Sequence, residues 1–292
     1  MLKRIVSIPY NDPKIDEILQ KLQLGDLNNV TYQSQNSTSF KDFIIVTAFS
    51  LNHLQEAEKS CRSISSHKQL KNITIIAYLL ENLNDSIIDF NKYRKNCPFV
   101  ELQPFPFQDY PLYVNQLNEY RWKNLIIAEV LRKYDLIIYA DSSVIFKESN
   151  TTSFEKFIED ASSLKYDIGT ILLSTTGHTI KAATHPGMYK YLPIDDTISS
   201  KTQMFGATVM LWRKTPISMQ ILKTLVICSL LQDCMKPKGA ILWCNHEKLW
   251  KGIYADCHRF DQSAVNILLA NVTNGDTSRY LNVSPLFSIE RL

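Results

Sequence analysis

The apolar residues of this chain fall into short runs separated by segments with helical spacing. Four runs rich in β-branched residues predict buried parallel strands at 43–49, 72–80, 99–105 and 135–140. The segments between them predict helices at 52–66, 84–95 and about 113–133. Strands that alternate with helical crossovers indicate a mostly parallel, right-handed sheet with helices on both faces.

The second half of the chain is less regular but continues the same pattern. It carries further predicted strands and helices at 153–164, 167–175, 203–213, 216–234 and 261–271. Residues 1–40 differ, because a short amphipathic segment at 14–24 precedes a polar, turn-rich stretch. We therefore predict an N-terminal stem or linker at 1–40 and a single α/β domain at 41–292.

Composition narrows the class of protein. The length of 292 residues suits one large α/β domain, and 45% apolar with 21% charged residues is ordinary for a globular protein. A net charge of +3 is too small to indicate nucleic acid as a partner. No apolar run is long enough to span a bilayer, and the N-terminus lacks the apolar core of a signal peptide. We expect membrane association only through an anchor that this chain does not contain.

Cysteines and glycosylation sequons favour the secretory pathway. The six cysteines have wide, irregular spacings without a CxxC, which argues against zinc and for disulfides. Cys228 with Cys234, or Cys244 with Cys257, are candidate pairs. Sequons begin at Asn29, Asn36, Asn72, Asn84, Asn150, Asn271 and Asn282. We predict a protein of the Golgi or ER lumen, or a secreted one, with buried thiols in a cytoplasmic protein as the alternative.

Polar residues mark the ends of two predicted elements. The segment "YDLIIYADSSVIF" (134–146) breaks a buried strand at Asp141 and Ser143, which suits either a turn or a ligand site at the carboxyl end of a strand. The segment "CHRFDQS" (257–263) places Asp261 and Gln262 before a buried helix, where Asp261 also suits a helix N-cap. Glycine-rich phosphate loops and a GxSxG motif are absent from the sequence.

Four segments, in order, resemble glycogenin-like retaining glycosyltransferases: "FIIVTAF", "KNLIIAEVLRKYDLIIYADSSV", "MFGATVMLWRK" and "DQSAVNILL". Together with "TAFSLNH" and "YADCHRFDQSAVNILL", they resemble more closely an uncharacterised metazoan family of predicted glycosyltransferases. The resemblance implies the GT-A fold, a single α/β domain with one Rossmann-like mixed sheet. It also implies transfer of a sugar from a nucleotide-diphosphosugar to a hydroxyl of a glycan or protein acceptor.

The resemblance also assigns roles to residues. Asp141, with Ser143, would hold Mn²⁺ or Mg²⁺ against the negative charge of the leaving diphosphate. The nucleotide-sugar would be bound by Thr47, Ala48, Lys123 and Gly206, with Lys123 on a phosphate and Gly206 beside the sugar. Asp261 and Gln262 would bind sugar hydroxyls near the reacting carbon.

This chain departs from the family pattern at the metal. Tyr139 stands where the family has the first carboxylate of its Asp-x-Asp motif, and no histidine follows His258 to complete the metal site. Metal dependence is therefore open. Two alternatives to an active glycosyltransferase also stay open: a GT-A-fold binding or scaffold protein without catalysis, and an unrelated α/β enzyme such as a hydrolase or methyltransferase.

Overall fold

The computed structural model describes residues 5–29, 43–81 and 87–292. A six-stranded sheet in the order β3-β2-β1-β4-β7-β6 forms its centre. Its strands are β1 (Ile44–Phe49), β2 (Ile75–Leu79), β3 (Val100–Pro104), β4 (Leu136–Ala140), β6 (Thr170–Thr179) and β7 (Gln203–Arg213). The first four strands are parallel, whereas β7 runs antiparallel to both β4 and β6. The predicted class, an α/β fold on a mixed sheet, is confirmed.

Helices cover both faces of this sheet. They are α1 (Pro13–Lys21), α2 (Leu54–Ser66), α3 (Ile87–Asn96), α4 (Arg121–Leu131), α5 (Phe154–Ala161), α6 (Asp196–Lys201), α7 (Pro216–Leu230), α8 (Gln232–Met235), α9 (His246–Trp250) and α10 (Phe260–Thr273). Apolar side chains of α1, α4, α7 and α10 form one core with one sheet face. Those of α2, α3 and α5 pack on the opposite face. β1 is buried along its whole length because both faces are covered.

A second, two-stranded sheet ties the C-terminus to the main body. β5 (Val144–Phe146) pairs antiparallel with β8 (Phe287–Ile289). Since β5 follows the end of β4 after only three residues, this pairing brings the last residues of the chain beside residues 141–143.

One predicted helix begins later than the sequence indicated. The prediction of a helix at about 113–133 is wrong for its first turns, which are short 3₁₀ segments, and α4 begins at Arg121. The cause is Tyr120, which adopts a left-handed conformation with φ 54°. This break directs the buried guanidinium of Arg121 to Glu119 and to the carbonyls of Ser229 and Leu231.

The first helix belongs to the packed body of the molecule. Asp12 caps α1, and Ile15, Ile18 and Leu19 are buried in the core that also contains α7. The boundary predicted near residue 40 lies outside the described residues and stays a prediction. Within the described ranges, no helix has the length and apolarity needed to cross a membrane.

The six cysteines form three disulfides. Both candidate pairs, Cys228–Cys234 and Cys244–Cys257, are present, which confirms the prediction of disulfides. The third bond joins Cys61 on α2 to Cys97, directly after α3. The Cys244–Cys257 bond closes the segment that leads into α10 and so restrains the start of that helix.

Candidate active site

The candidate site lies at the carboxyl ends of β1 and β4, where the strand order reverses. The chain runs outward from β1 to β2 and β3 and then returns to the other side of β1 as β4. In open α/β sheets, ligands bind in the crevice outside the carboxyl ends of strands at such a switch point. Asp141, the first residue after β4, stands at this crevice.

Lys123 joins three separate elements at this crevice. Its side chain, in the first turn of α4, is only 3% exposed. Its Nζ lies 3.1 Å from Asp141 Oδ1 and 2.9 Å from Asp261 Oδ2. It also donates to the carbonyl oxygen of Ala207 on β7, at 3.2 Å. The structure therefore brings together three of the residues that the sequence singled out.

The three charges hold one another in a low-dielectric setting. Burial favours neutral Lys123, but Asp141 and then Asp261 outweigh it, and the net result is a raised pKa for Lys123. Burial also raises the pKa of Asp261, against the opposing attraction of Lys123. One ammonium faces two carboxylates, so the ionised cluster carries one excess negative charge.

Tyr139 is a neutral hydrogen-bond donor to this cluster. Its side chain is fully buried, and its hydroxyl donates to Asp141 Oδ1 at 3.0 Å. Burial, followed by the charge of Asp141, holds the pKa of Tyr139 well above its ordinary value. Tyr139 therefore supplies a donor at this position, and it bonds the same Asp141 oxygen that Lys123 contacts.

Asp261 owes its position to the anchoring of α10 against β7. The side chain of Asn266 accepts from the N–H of Phe205 and donates to its carbonyl, both at 2.8 Å. Asp261 lies in the first turn of α10 and is buried. Gln262, the next residue, is partly exposed, and within the described residues its side chain makes no hydrogen bond. Gln262 is thus available to a ligand.

Ala48, Gly206 and Ser143 lie around this cluster. Ala48, at the carboxyl end of β1, packs in the same core as Tyr139. Gly206 precedes Ala207, and a Cβ on Gly206 would overlap the Oγ of Ser174 on β6. Ser143 is buried in the turn after β4. Their predicted roles toward donor and metal stay predictions.

Thr47 lies on the other face of the sheet from Lys123. It lines a small cavity beneath α2 together with Ala57 and Cys61. Its Oγ1 is buried without a hydrogen-bond partner among the described residues. The alternation of side chains along β1 explains this, since Ala48 faces the Tyr139 side and its neighbour must face away. The predicted nucleotide contact of Thr47 stays a prediction that this orientation does not support.

The C-terminal segment places a further residue, Arg291, near the turn after β4, and no sequence pattern singles this residue out. The N–H of Glu290 donates to the carbonyl of Ser143 at 2.8 Å, and the N–H of Leu292 donates to Glu56 Oε1 at 3.0 Å. Arg291 lies between these two anchors. No local motif marks it, because both contacts join residues far apart in the chain.

The donor set at Asp141 does not fit a resident divalent metal. Mn²⁺ and Mg²⁺ take oxygen ligands, and Mg²⁺ is usually held by one or two carboxylates together with substrate phosphates and waters. One oxygen of Asp141 already receives Lys123 and the Tyr139 hydroxyl. Across the described parts of the chain, no three His, Cys, Asp or Glu side chains cluster as metal ligands would. The predicted metal site at Asp141 and Ser143 is therefore without support from its geometry.

Comparison with known proteins found one family model that matches part of the chain and several solved structures of similar fold. Residues 11–128 match a family described as "Protein of unknown function (DUF1647)". No match was found among the curated proteins. The matched range includes Lys123 and ends before Asp141.

Solved structures with similar folds are glycosyltransferases. The galactosyltransferase LgtC, solved with donor and acceptor sugar analogues, is 13% identical, with 84% of this chain and 86% of that chain covered and a TM-score of 0.41. Mouse xyloside xylosyltransferase 1 is 11% identical, covering 83% and 85%, with a TM-score of 0.45. Core-mannan synthase A from Aspergillus fumigatus, in its Mn/GDP form, is 10% identical, covering 90% and 80%, with a TM-score of 0.49.

Proposed function

We propose that this protein is a glycosyltransferase that moves a sugar from a nucleotide-diphosphosugar to a hydroxyl of a glycan or protein. The observation that carries the proposal is the buried Lys123, held between Asp141 and Asp261 at the switch point of the sheet. Burying one ammonium against two carboxylates costs desolvation energy. Such perturbed clusters in a ligand-binding crevice are typical of functional sites.

The reaction would break the bond between the sugar C1 and the diphosphate oxygen, which keeps the electron pair. A bond then forms between C1 and the acceptor oxygen, whose proton passes to an oxygen of the departing diphosphate. Asp261 and Gln262 would bind hydroxyls of the donor sugar and hold C1 in line with the acceptor. Lys123 would fix Asp261 in the required orientation through their 2.9 Å contact. No step of this reaction is assigned to the divalent metal that the resemblance implies, because the donor set at Asp141 does not fit a resident metal.

The test is turnover of a panel of nucleotide-sugars by wild type and by Asp261→Asn, which removes the charge and keeps the size. We expect wild type to release nucleoside diphosphate from at least one donor and Asp261→Asn to be at least 100-fold slower. Asp160→Asn on α5, an exposed residue paired with Lys156, is the matched control and should leave the rate unchanged. Tight binding of a donor without turnover would instead support a non-catalytic binding protein.

A lumenal or secreted location is part of the proposal. Three disulfides support it, since such bonds persist in oxidising compartments. Asn72 and Asn150 are exposed and free to accept a glycan, whereas the Asn271 amide donates to the carbonyl of Pro193 at 2.8 Å. When the protein is expressed in the secretory pathway, we expect Asn72→Gln and Asn150→Gln each to remove one endoglycosidase-sensitive shift in gel mobility. We expect Asn271→Gln to remove none. Absence of any such shift would contradict a lumenal location.

A further inference from the structure

Two arginines lie next to residues of the candidate site in sequence or through a backbone hydrogen bond, on elements that the fold fixes independently. Arg259 is the residue before α10, two positions ahead of Asp261, and its backbone N–H donates to the carbonyl of Ala183. Arg291 is fixed through its two neighbours, which are hydrogen-bonded to Ser143 and Glu56. One guanidinium thus comes from the start of a helix and the other from the C-terminal segment.

Both guanidiniums interact electrostatically with Tyr120. Burial lowers the pKa of Arg259, Tyr120 opposes that effect, and the charge of Arg291 adds to it. Burial is the main cause of the raised pKa of Tyr120, and the charge of Arg291 acts to lower that pKa. The Tyr120 ring in turn lies 5.2 Å from Lys123 Nζ. Both arginines therefore interact with a residue that lies directly beside the Lys123 cluster.

Neither arginine is neutralised by the protein. Within residues 5–29, 43–81 and 87–292, no carboxylate lies within 4.0 Å of either guanidinium, and neither side chain donates a hydrogen bond. Arg121 shows the contrast, since its buried guanidinium is bonded to Glu119 and to carbonyl oxygens. These two like charges act on each other, and one of them is half-buried, so a bound anion would stabilise both.

The charges of the whole region indicate which anion fits. The Lys123 cluster carries an excess negative charge and would repel a diphosphate on its own. Two further cations reverse that sign and present planar, forked donors, which match phosphate oxygens. A nucleoside diphosphate carries negative charge on both phosphates, so it can contact two separate guanidiniums at once. A single small anion such as chloride suits the two guanidiniums less well.

We propose that Arg259 and Arg291 bind the diphosphate of the nucleotide-sugar and receive the negative charge that develops on the leaving oxygen. The inference rests on the proposed function and deepens it. The arginine pair supplies the charge that the family resemblance assigned to a divalent metal, for which the donor set at Asp141 is poor. Nucleoside diphosphate binding should therefore occur without a divalent cation.

The test is calorimetric titration of nucleoside diphosphates (UDP and GDP) into the full chain, in EDTA and again with Mn²⁺. We expect binding in EDTA. Arg259→Gln and Arg291→Gln should each weaken it about 10- to 100-fold, the loss of a charge-assisted hydrogen-bonded contact. Arg62→Gln, which removes an exposed arginine from α2, is the matched control and should bind as wild type does.

The other possible results of the titrations separate failure of this inference from failure of the proposed function. Arg291 is exposed, so Arg291→Gln should fold normally even if Arg259→Gln does not. Equal affinity of wild type and Arg291→Gln would overturn the inference and leave the proposed function standing. So would binding that needs Mn²⁺ and disappears in EDTA. If wild type binds no nucleoside diphosphate under either condition, the proposed function itself fails.

Discussion

Replacing Lys123 with Met tests whether the buried ion cluster has the energetics that its geometry indicates. Lys123 is 3% exposed and contacts Asp261, which is 6% exposed, at 2.9 Å. Removing one partner of a buried ion pair leaves the other charge without compensation, which costs about 3–5 kcal/mol. In a chain of this size, we expect the melting temperature to fall by roughly 6–10 °C.

The pH dependence gives a sharper signature than the size of the loss. Burial already raises the pKa of Asp261, and Lys123 opposes that rise. Without Lys123 the pKa rises further, so the folded variant takes up a proton before the unfolded chain does. A folded-state pKa above the unfolded value favours the folded state as pH falls. The difference from wild type should therefore be smaller at pH 5 than at pH 8.

The assays are thermal unfolding and urea unfolding, both followed by tryptophan fluorescence with the disulfides intact. Asp261→Asn added to Lys123→Met should recover part of the loss, because no buried carboxylate is then left unpaired. Lys156→Met is the matched control, since Lys156 forms exposed ion pairs on α5 and its loss should not be measurable. The reasoning is refuted if Lys123→Met melts like wild type, or if its deficit does not change with pH.

Two further predictions concern the support of the site. His258 is buried and neutral, with Nδ1 accepting from His185 N–H and Nε2 donating to the Met235 carbonyl, and burial lowers its pKa to about 3. Only the unfolded chain then takes up a proton on this side chain below pH 6.5, so His258 should cost about 2–3 kcal/mol of stability at pH 4.5. In His258→Gln, the free energy of unfolding from denaturant titrations should therefore fall less steeply as pH decreases. An unchanged dependence on pH would contradict this. Gly206→Ala should cost about 1 kcal/mol, because its Cβ would overlap Ser174 Oγ and force that hydroxyl to rotate, and Ser174→Ala should restore most of the loss; an unchanged free energy of unfolding in Gly206→Ala would contradict this.

The strands were predictable because burial on both faces leaves a direct signature in sequence. Runs of β-branched residues such as 43–49 can be buried only in a covered sheet, and the structure places β1 at its centre. The start of α4 was not predictable in the same way. Arg121 is stabilised by carbonyls of Ser229 and Leu231, more than one hundred positions away, and no local pattern records that contact.

The candidate site was predictable where motif spacing fixed it. Lys123 and Asp141 come from one segment and Asp261 from a later one, in an order that matched one family pattern, and the fold brings the three residues together. Thr47 shows the limit of a motif, since a one-residue difference along a strand sends a side chain to the opposite face. Arg291 could not be found from sequence, because its position depends on the C-terminal segment meeting the turn after β4.

A crystal structure of the protein with a bound nucleoside diphosphate tests the central claim most directly. The account predicts the diphosphate at the carboxyl ends of β1 and β4, within hydrogen-bond distance of Arg259 and Arg291 and close to the cluster of Lys123, Asp141 and Asp261. Density for the nucleotide at any other surface of the molecule would contradict it.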